Sequence, residues 1–168
     1  MDLAVRSMGG HARPPCQVKA HEITPGVVYK DQHVTVIAFP VHHGDHLDAF
    51  GFRFETPDRT IVLSGDTSPT QSLIEHCEGC DVLIHEAYPL AGFGGIAPAW
   101  QEFRRSHHTS SKELADIANA VKPGLLVIYH HSNAGGGPLG ESSEDALLDE
   151  LRQAYSGRVV VGRDLDIF

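Results

Sequence analysis

Cysteine, positive charge and long apolar runs are all scarce in this sequence, and each shortage removes a class of protein. Three cysteines, Cys16, Cys77 and Cys80, are too few and odd in number to build a disulfide framework in 168 residues, so a reducing cytoplasm is the expected location. Lys and Arg number 13 against 22 Asp and Glu, a formal charge of −9, which repels phosphate backbones except where basic groups cluster locally. No apolar run approaches the roughly 18 residues of a membrane span, and the opening MDLAVRSMGGHARPPC lacks the continuous apolar stretch of a signal peptide. Repeats and low-complexity tracts are also missing. What remains is a soluble chain whose 41% hydrophobic content can bury one core.

Histidine, by contrast, is abundant: twelve residues, in a side chain that is the commonest protein ligand for zinc. Position must separate ligands from surface residues. Residues 1–16 carry Gly9, Gly10, Pro14 and Pro15 without periodicity and read as a poorly ordered lead-in to a single unit over 17–168. Short β-branched or aromatic runs predict strands over Gln17 to Ile23, Gly26 to Tyr29, His33 to Phe39, Phe50 to Glu55 and Thr60 to Leu63. Thr24-Pro25-Gly26 and Thr56-Pro57-Asp58-Arg59 have the composition of hairpin turns. Beyond Ser64 the pattern changes to helices at about 69–77, 110–121 and 142–154, alternating with apolar strands at Asp81 to His85, Leu125 to Tyr129 and Arg158 to Val161. The glycine-rich stretches 92–95 and 135–140 are expected as loops following strands. A β-meander followed by α/β units is the predicted architecture.

The chemistry collects at the predicted strand ends. Pro40-Val41-His42-His43-Gly44-Asp45-His46, Ser64-Gly65-Asp66-Thr67, His85-Glu86 and His130-His131 each follow a strand, and His107-His108-Thr109-Ser110 opens a helix. Histidines and an aspartate delivered from separate strand ends are what a hydrolytic zinc site requires, because each metal takes three or four N/O ligands and keeps one position open for hydroxide. The plainer alternatives are a turn aspartate at Asp66 and a solvated edge charge at Glu86. Cys77 and Cys80 have the spacing of half a zinc knuckle with no second pair, and are read as structural.

Taken in order, these segments resemble the metallo-β-lactamase superfamily, in the branch of ribonuclease Z and arylsulfatase-like hydrolases, from about Gln17 to the C-terminus. The run Val34 to Gly44 followed by Phe50-Gly51-Phe52-Arg53 is similar to the family's segment bearing its third zinc histidine. Thr60 to Thr67 resembles the strand and turn of the bridging aspartate, Asp81 to Ala87 the next strand, and His108-Thr109-Ser110 and Leu125 to His130 complete the set. The resemblance implies an αββα sandwich of which this chain supplies mainly the C-terminal ββα half. It implies His43 on the first zinc, Asp66 bridging both and His130 on the second, with Glu86 and His108 as the proton-handling pair. Two Zn2+ per complete site and an ester or phosphodiester substrate follow from it. His42, His46, His107 and His131 adjoin these positions and are expected to support them or to lie at the surface.

One departure is large. The family's His-x-His-x-Asp-His run does not occur, and the nearest string, Val41 to His46, has Val41 where the first histidine should stand. Three ligands cannot hold two zincs tightly, so the chain alone is expected to be nearly inactive. One sheet face would then await the missing N-terminal half, a second chain or a homodimer partner. Three functions fit: a phosphodiester or sulfate-ester hydrolase present as one part of a larger enzyme, a non-catalytic binding module of the same fold, or a small metal-binding protein using His43, Asp66 and His130.

Overall fold

The computed structural model describes residues 19–131 and 144–168. They form one seven-stranded sheet in sequential order, β1 (Gly26–Lys30), β2 (Thr35–Pro40), β3 (Phe50–Glu55), β4 (Thr60–Leu63), β5 (Val82–Glu86), β6 (Leu125–Tyr129) and β7 (Val159–Val161). Strands β1 to β4 pair antiparallel, and β4 to β7 pair parallel. This is the expected meander running into α/β units. The helices are α1 (Gln71–Cys77), α2 (Pro98–His107), α3 (Ser111–Val121) and α4 (Glu144–Ala154), with a 3₁₀ turn at Phe93–Gly95.

Local chemistry sets the boundaries. The Asp31 carboxylate accepts from the backbone N–H of His33 and Val34, which turns the chain there and delays β2 to Thr35 rather than the expected His33. Thr70 caps α1 by accepting from Leu73 N, and Ser110 with Glu113 closes a capping box on α3. The Thr56–Arg59 turn joins β3 to β4 as expected, with Thr56 N bonded to Arg59 O. Two expectations fail. The predicted strand over Gln17 to Ile23 is absent from its described part, 19–23, which is exposed throughout and pairs with no strand; the first of the two hairpins disappears with it. The 98–107 stretch, not read as a helix, forms α2 with Pro98 at its first turn. The lead-in 1–16 and the loop 135–140 lie outside the described residues.

Side-chain alternation divides the sheet into two faces. Phe39, Val62, Leu83, Leu126, Ile128 and Val159 meet Leu73, Leu114, Ile117, Leu147 and Leu151 from α1, α3 and α4 in one core. Each fully buried aliphatic side chain there contributes about 1.5–3 kcal/mol. Cross-strand partners on the opposite face are also apolar: Ala38, Phe52, Leu63, Ile84, Val127 and Val160 stand in register. Phe52, Leu63, Ile84 and Val160 are only half-buried, so this second apolar face is less fully covered than the first. The result is a single sheet packed against three helices, the ββα-type layer expected from the sequence. Cys77 and Cys80, both buried, are joined by a disulfide. It closes a loop of three residues' separation, and so is a local clip at the end of α1, which a reading based on scarce cysteine did not include. Among the described residues no helix is long and apolar enough to cross a membrane.

Candidate metal centre

Strand direction explains why the polar clusters meet. β4, β5 and β6 are parallel, and β2 reaches β4 through two antiparallel pairings, so the C-terminal ends of all four lie at one sheet edge. Ligands gather outside such strand ends in α/β sheets because the backbone there is free to turn. Gly65 makes the first turn with a φ of +65°, and a Cβ in its place would lie 2.6 Å from the Phe50 carbonyl oxygen. Only glycine lets Asp66 follow so sharply on β4. His130 leaves β6 with a φ of +42°, a left-handed conformation that costs a non-glycine residue about 1 kcal/mol.

Asp66, His108 and His130 each bring a donor atom within 4.8 Å of the others. His130 Nδ1 lies 3.2 Å from Asp66 Oδ1, with the two side chains 49% and 35% exposed. The ring centroids of His108 and His130 are 5.9 Å apart, and His43 stands next in line, 5.1 Å from His108. His43 Nδ1 donates to the His107 carbonyl at 2.8 Å. That bond leaves Nε2 with the lone pair, the state in which a histidine binds a metal while its other nitrogen is held by an acceptor. His43 is therefore adjacent to the triad of closest donors, and His108 is part of it.

Behind this rim lies a sealed layer. Glu86 is fully buried, and its Oε1 accepts from His108 Nδ1 at 3.1 Å, Thr67 N at 3.1 Å and Thr109 N at 3.2 Å. Thr109 Oγ1 donates to the Thr67 carbonyl at 2.6 Å, tying the β4 turn to the loop before α3. Thr67 and Thr109 were not singled out in the sequence; their adjacency to Asp66 and His108 was the available signal. The Glu86 Oε2 and His85 Nε2 atoms are buried without a hydrogen-bond partner. Burial lowers the His85 pKa, so its imidazole stays neutral. Burial, with the Asp66 carboxylate adding to it, pushes the Tyr129 phenol up to about 12.

The flanking histidines have distinct places. His42 bonds Ser68 Oγ through Nδ1 at 2.8 Å, and its backbone N–H donates to Thr67 Oγ1. His46 stacks on His43 with centroids 5.1 Å apart. His107 ends α2 and stacks on Phe103 at 4.0 Å, while Gly44 is pressed so closely on its ring that a Cβ would lie 2.0 Å away. His131 Nε2 is 3.7 Å from Glu144 Oε1.

Comparison with known proteins supplies the frame for this geometry. The family described as Beta-lactamase superfamily domain matches residues 2–131. Ribonuclease Z of Mycobacterium bovis is 30% identical over 151 residues, which is 90% of this chain and 52% of that protein. Ribonuclease Z of a Mycobacterium sp. is 31% identical over 156 residues, 92% of this chain and again 52% of the other. The chain spans about half the length of the curated relatives it matches. The metallo-beta-lactamase fold protein YhfI from Bacillus subtilis superposes with a TM-score of 0.64 at 22% identity, over 84% of this chain and 50% of that one. Human tRNase Z, short form, gives 0.57 at 21%, over 84% and 44%. These two likenesses concern the fold.

Proposed function

The chain belongs to the beta-lactamase superfamily, and from that premise we propose that it carries part of a zinc-dependent hydrolase site acting on phosphodiester bonds. One observation carries the reading: Asp66, His108 and His130 converge within 4.8 Å where parallel strands end. Two imidazoles and a carboxylate, as His43, His130 and Asp66 supply with His108 beside them, suit zinc, whereas calcium and magnesium take oxygen ligands. We assign His43, Asp66 and His130 as the residues that would hold the metal, and Glu86 with His108 as the proton-transfer pair. When bound, the metal supplies Lewis-acid polarisation of a phosphoryl oxygen and acidifies the attacking water.

The chain's own residues do the rest. Glu86 accepts the Nδ1 proton of His108 and so fixes which nitrogen faces the cluster. A protonated His108 held there is oriented to give its Nε2 proton to the leaving oxygen, and burial of Glu86 keeps that orientation from relaxing. The relatives named ribonuclease Z favour a phosphodiester over a sulfate ester.

Three ligands hold two zincs poorly, so we take the site to be completed by further ligands on another segment or a second chain, a homodimer partner included, which would also cover the half-buried sheet face. The test measures zinc per chain and hydrolysis of bis(p-nitrophenyl) phosphate, for the chain alone and joined to a segment bearing a His-x-His-x-Asp-His run. Weak zinc binding and negligible turnover alone, with both restored in the joined form, are expected. Two firmly held zincs and brisk turnover in the chain alone would overturn the half-site reading, and no zinc in either form would overturn the metal assignment itself.

A further inference from the structure

The chain leaves β5 at Glu86 and enters α3 at Ser111 after an excursion that includes the 3₁₀ turn and α2. At the base of this excursion the outgoing and returning limbs are joined in steps. Innermost, Glu86 Oε1 accepts from the His108 ring and from Thr109 N. Next, Tyr88 and Ser110 form an isolated parallel bridge: Tyr88 N donates to the Thr109 carbonyl at 3.0 Å, and Ser111 N to the Tyr88 carbonyl at 2.9 Å. The step beyond is made by a side chain from elsewhere. Glu150, on α4, accepts from Leu90 N at 2.8 Å and Ala91 N at 2.7 Å on the outgoing limb, and from the Ser111 hydroxyl on the returning one.

An isolated bridge leaves the two limbs free to turn about it, and α2 has no buried residue to anchor the far end of the excursion in a core. Such a turn would part Glu86 from His108, because one stands on each limb. It would also move the last carbonyls of α2, of which Ser106 accepts from Gly44 N at 2.9 Å and His107 from His43 Nδ1 at 2.8 Å. Glu150 opposes the turn by holding both limbs through hydrogen bonds to a charged group, which are about twice as strong as neutral ones. Its own helix is fixed, since Leu147 and Leu151 of α4 are buried in the core.

We propose that Glu150 is a positioning residue for the proton-transfer pair, a clamp from α4 that keeps the limbs bearing Glu86 and His108 in register. This rests on the proton-transfer reading above. A displacement of about 1 Å between reacting groups is enough to cost about a hundredfold in rate, so a clamp outside the site has leverage on it.

One arm of the test needs neither metal nor a further segment. In the full chain, NMR compares exchange of the Thr109 amide, which reports the Glu86 contact, with that of Leu126 in the core, and follows the Nδ1 proton of His108. Glu150→Ala should raise the ratio of Thr109 to Leu126 exchange at least about tenfold, the worth of one hydrogen bond to a charged group, and should lose the Nδ1 signal. Glu150→Gln keeps one acceptor oxygen and should fall between. Leu148→Ala loosens the same helix at a side chain packed against the core, and should leave ratio and signal as in the parent. Parent-like values in Glu150→Ala, or the same change in Leu148→Ala, would overturn the clamp.

The other arm uses the completed enzyme. A proton from His108 matters more to diphenyl phosphate, whose phenolate leaves poorly, than to bis(p-nitrophenyl) phosphate. Glu150→Ala should therefore lower kcat at least about tenfold more on the first than on the second, with KM unchanged. Equal losses on both would assign Glu150 to stability alone and overturn the proposal. Absence of zinc and turnover in the parent would instead sink the hydrolase, and the exchange ratios would still decide whether Glu150 holds the limbs.

Discussion

Glu86 and His108 meet in a packed layer where a single carboxylate oxygen collects three donors, whereas Asp66 and His130, from the neighbouring strand ends, pair with a third to a half of their side-chain surface in solvent. The two sides of the site are therefore maintained by different forces. The sealed side is set by folding, because a buried carboxylate without those donors would be costly. The open side is held by one exposed contact and a left-handed backbone at His130, which gives little stability by itself. Geometry that the fold does not enforce is geometry that a bound metal can enforce, and this is where two of the proposed ligands, Asp66 and His130, lie.

The sharpest way to break that contrast is Asp66→Ala in a completed enzyme. Loss of a group that merely supports a ligand costs about 10–100-fold, so removal of the proposed ligand Asp66 should exceed that range in turnover of bis(p-nitrophenyl) phosphate, with zinc stoichiometry falling in parallel. Its urea midpoint should stay within the equivalent of about 0.5 kcal/mol, the usual range for an exposed position. Glu86→Ala should invert the pattern on stability. Stranding His108 Nδ1, Thr67 N and Thr109 N should cost at least about 2 kcal/mol, since each buried unpaired donor is worth about 1–3; an unchanged urea midpoint would show that the layer is not sealed.

A smaller effect concerns pH. His85 has a folded pKa below its ordinary 6.5 because burial disfavours the charged ring, so below that value the unfolded chain binds more protons than the folded one. Stability from this residue should be complete above pH 6.5 and decline as the pH falls beneath it. Urea midpoints measured across pH 5 to 8 for the parent and His85→Asn would check this, the variant showing a shallower slope. The smallest effect should come from His46→Ala, which removes only an exposed ring stacked on His43. Stability should move by less than about 0.5 kcal/mol, and the completed enzyme should retain most of its turnover. A loss comparable to that of Asp66→Ala would move His46 into the ligand set.

Much of the architecture was legible because its signals are local. Alternating apolar runs located all seven strands to within two residues at each end, and Thr70 and Ser110 announced the starts of α1 and α3. Segment 19–23 misled for the complementary reason: β-branched composition shows that a run can pair, but its partner edge is a tertiary fact. Helix α2 was missed because its apolar positions serve no core, so the usual amphipathic argument had nothing to point toward; Pro98 at the first turn was the only local sign.

The same division runs through the site. Residue types and their order after strands determined which groups were candidates, since a glycine-aspartate turn and histidines at strand ends are properties of short segments. Which of those groups touch was decided only when β2, β4, β5 and β6 aligned their ends, bringing together residues separated by up to 64 positions, as in the bond from His43 to the His107 carbonyl. Burial was decided there too. Nothing in the string His85-Glu86 says that both side chains lose all contact with water, because that depends on Thr67, Thr109 and α3 closing over them, and desolvation belongs to the assembled neighbourhood rather than to the residue.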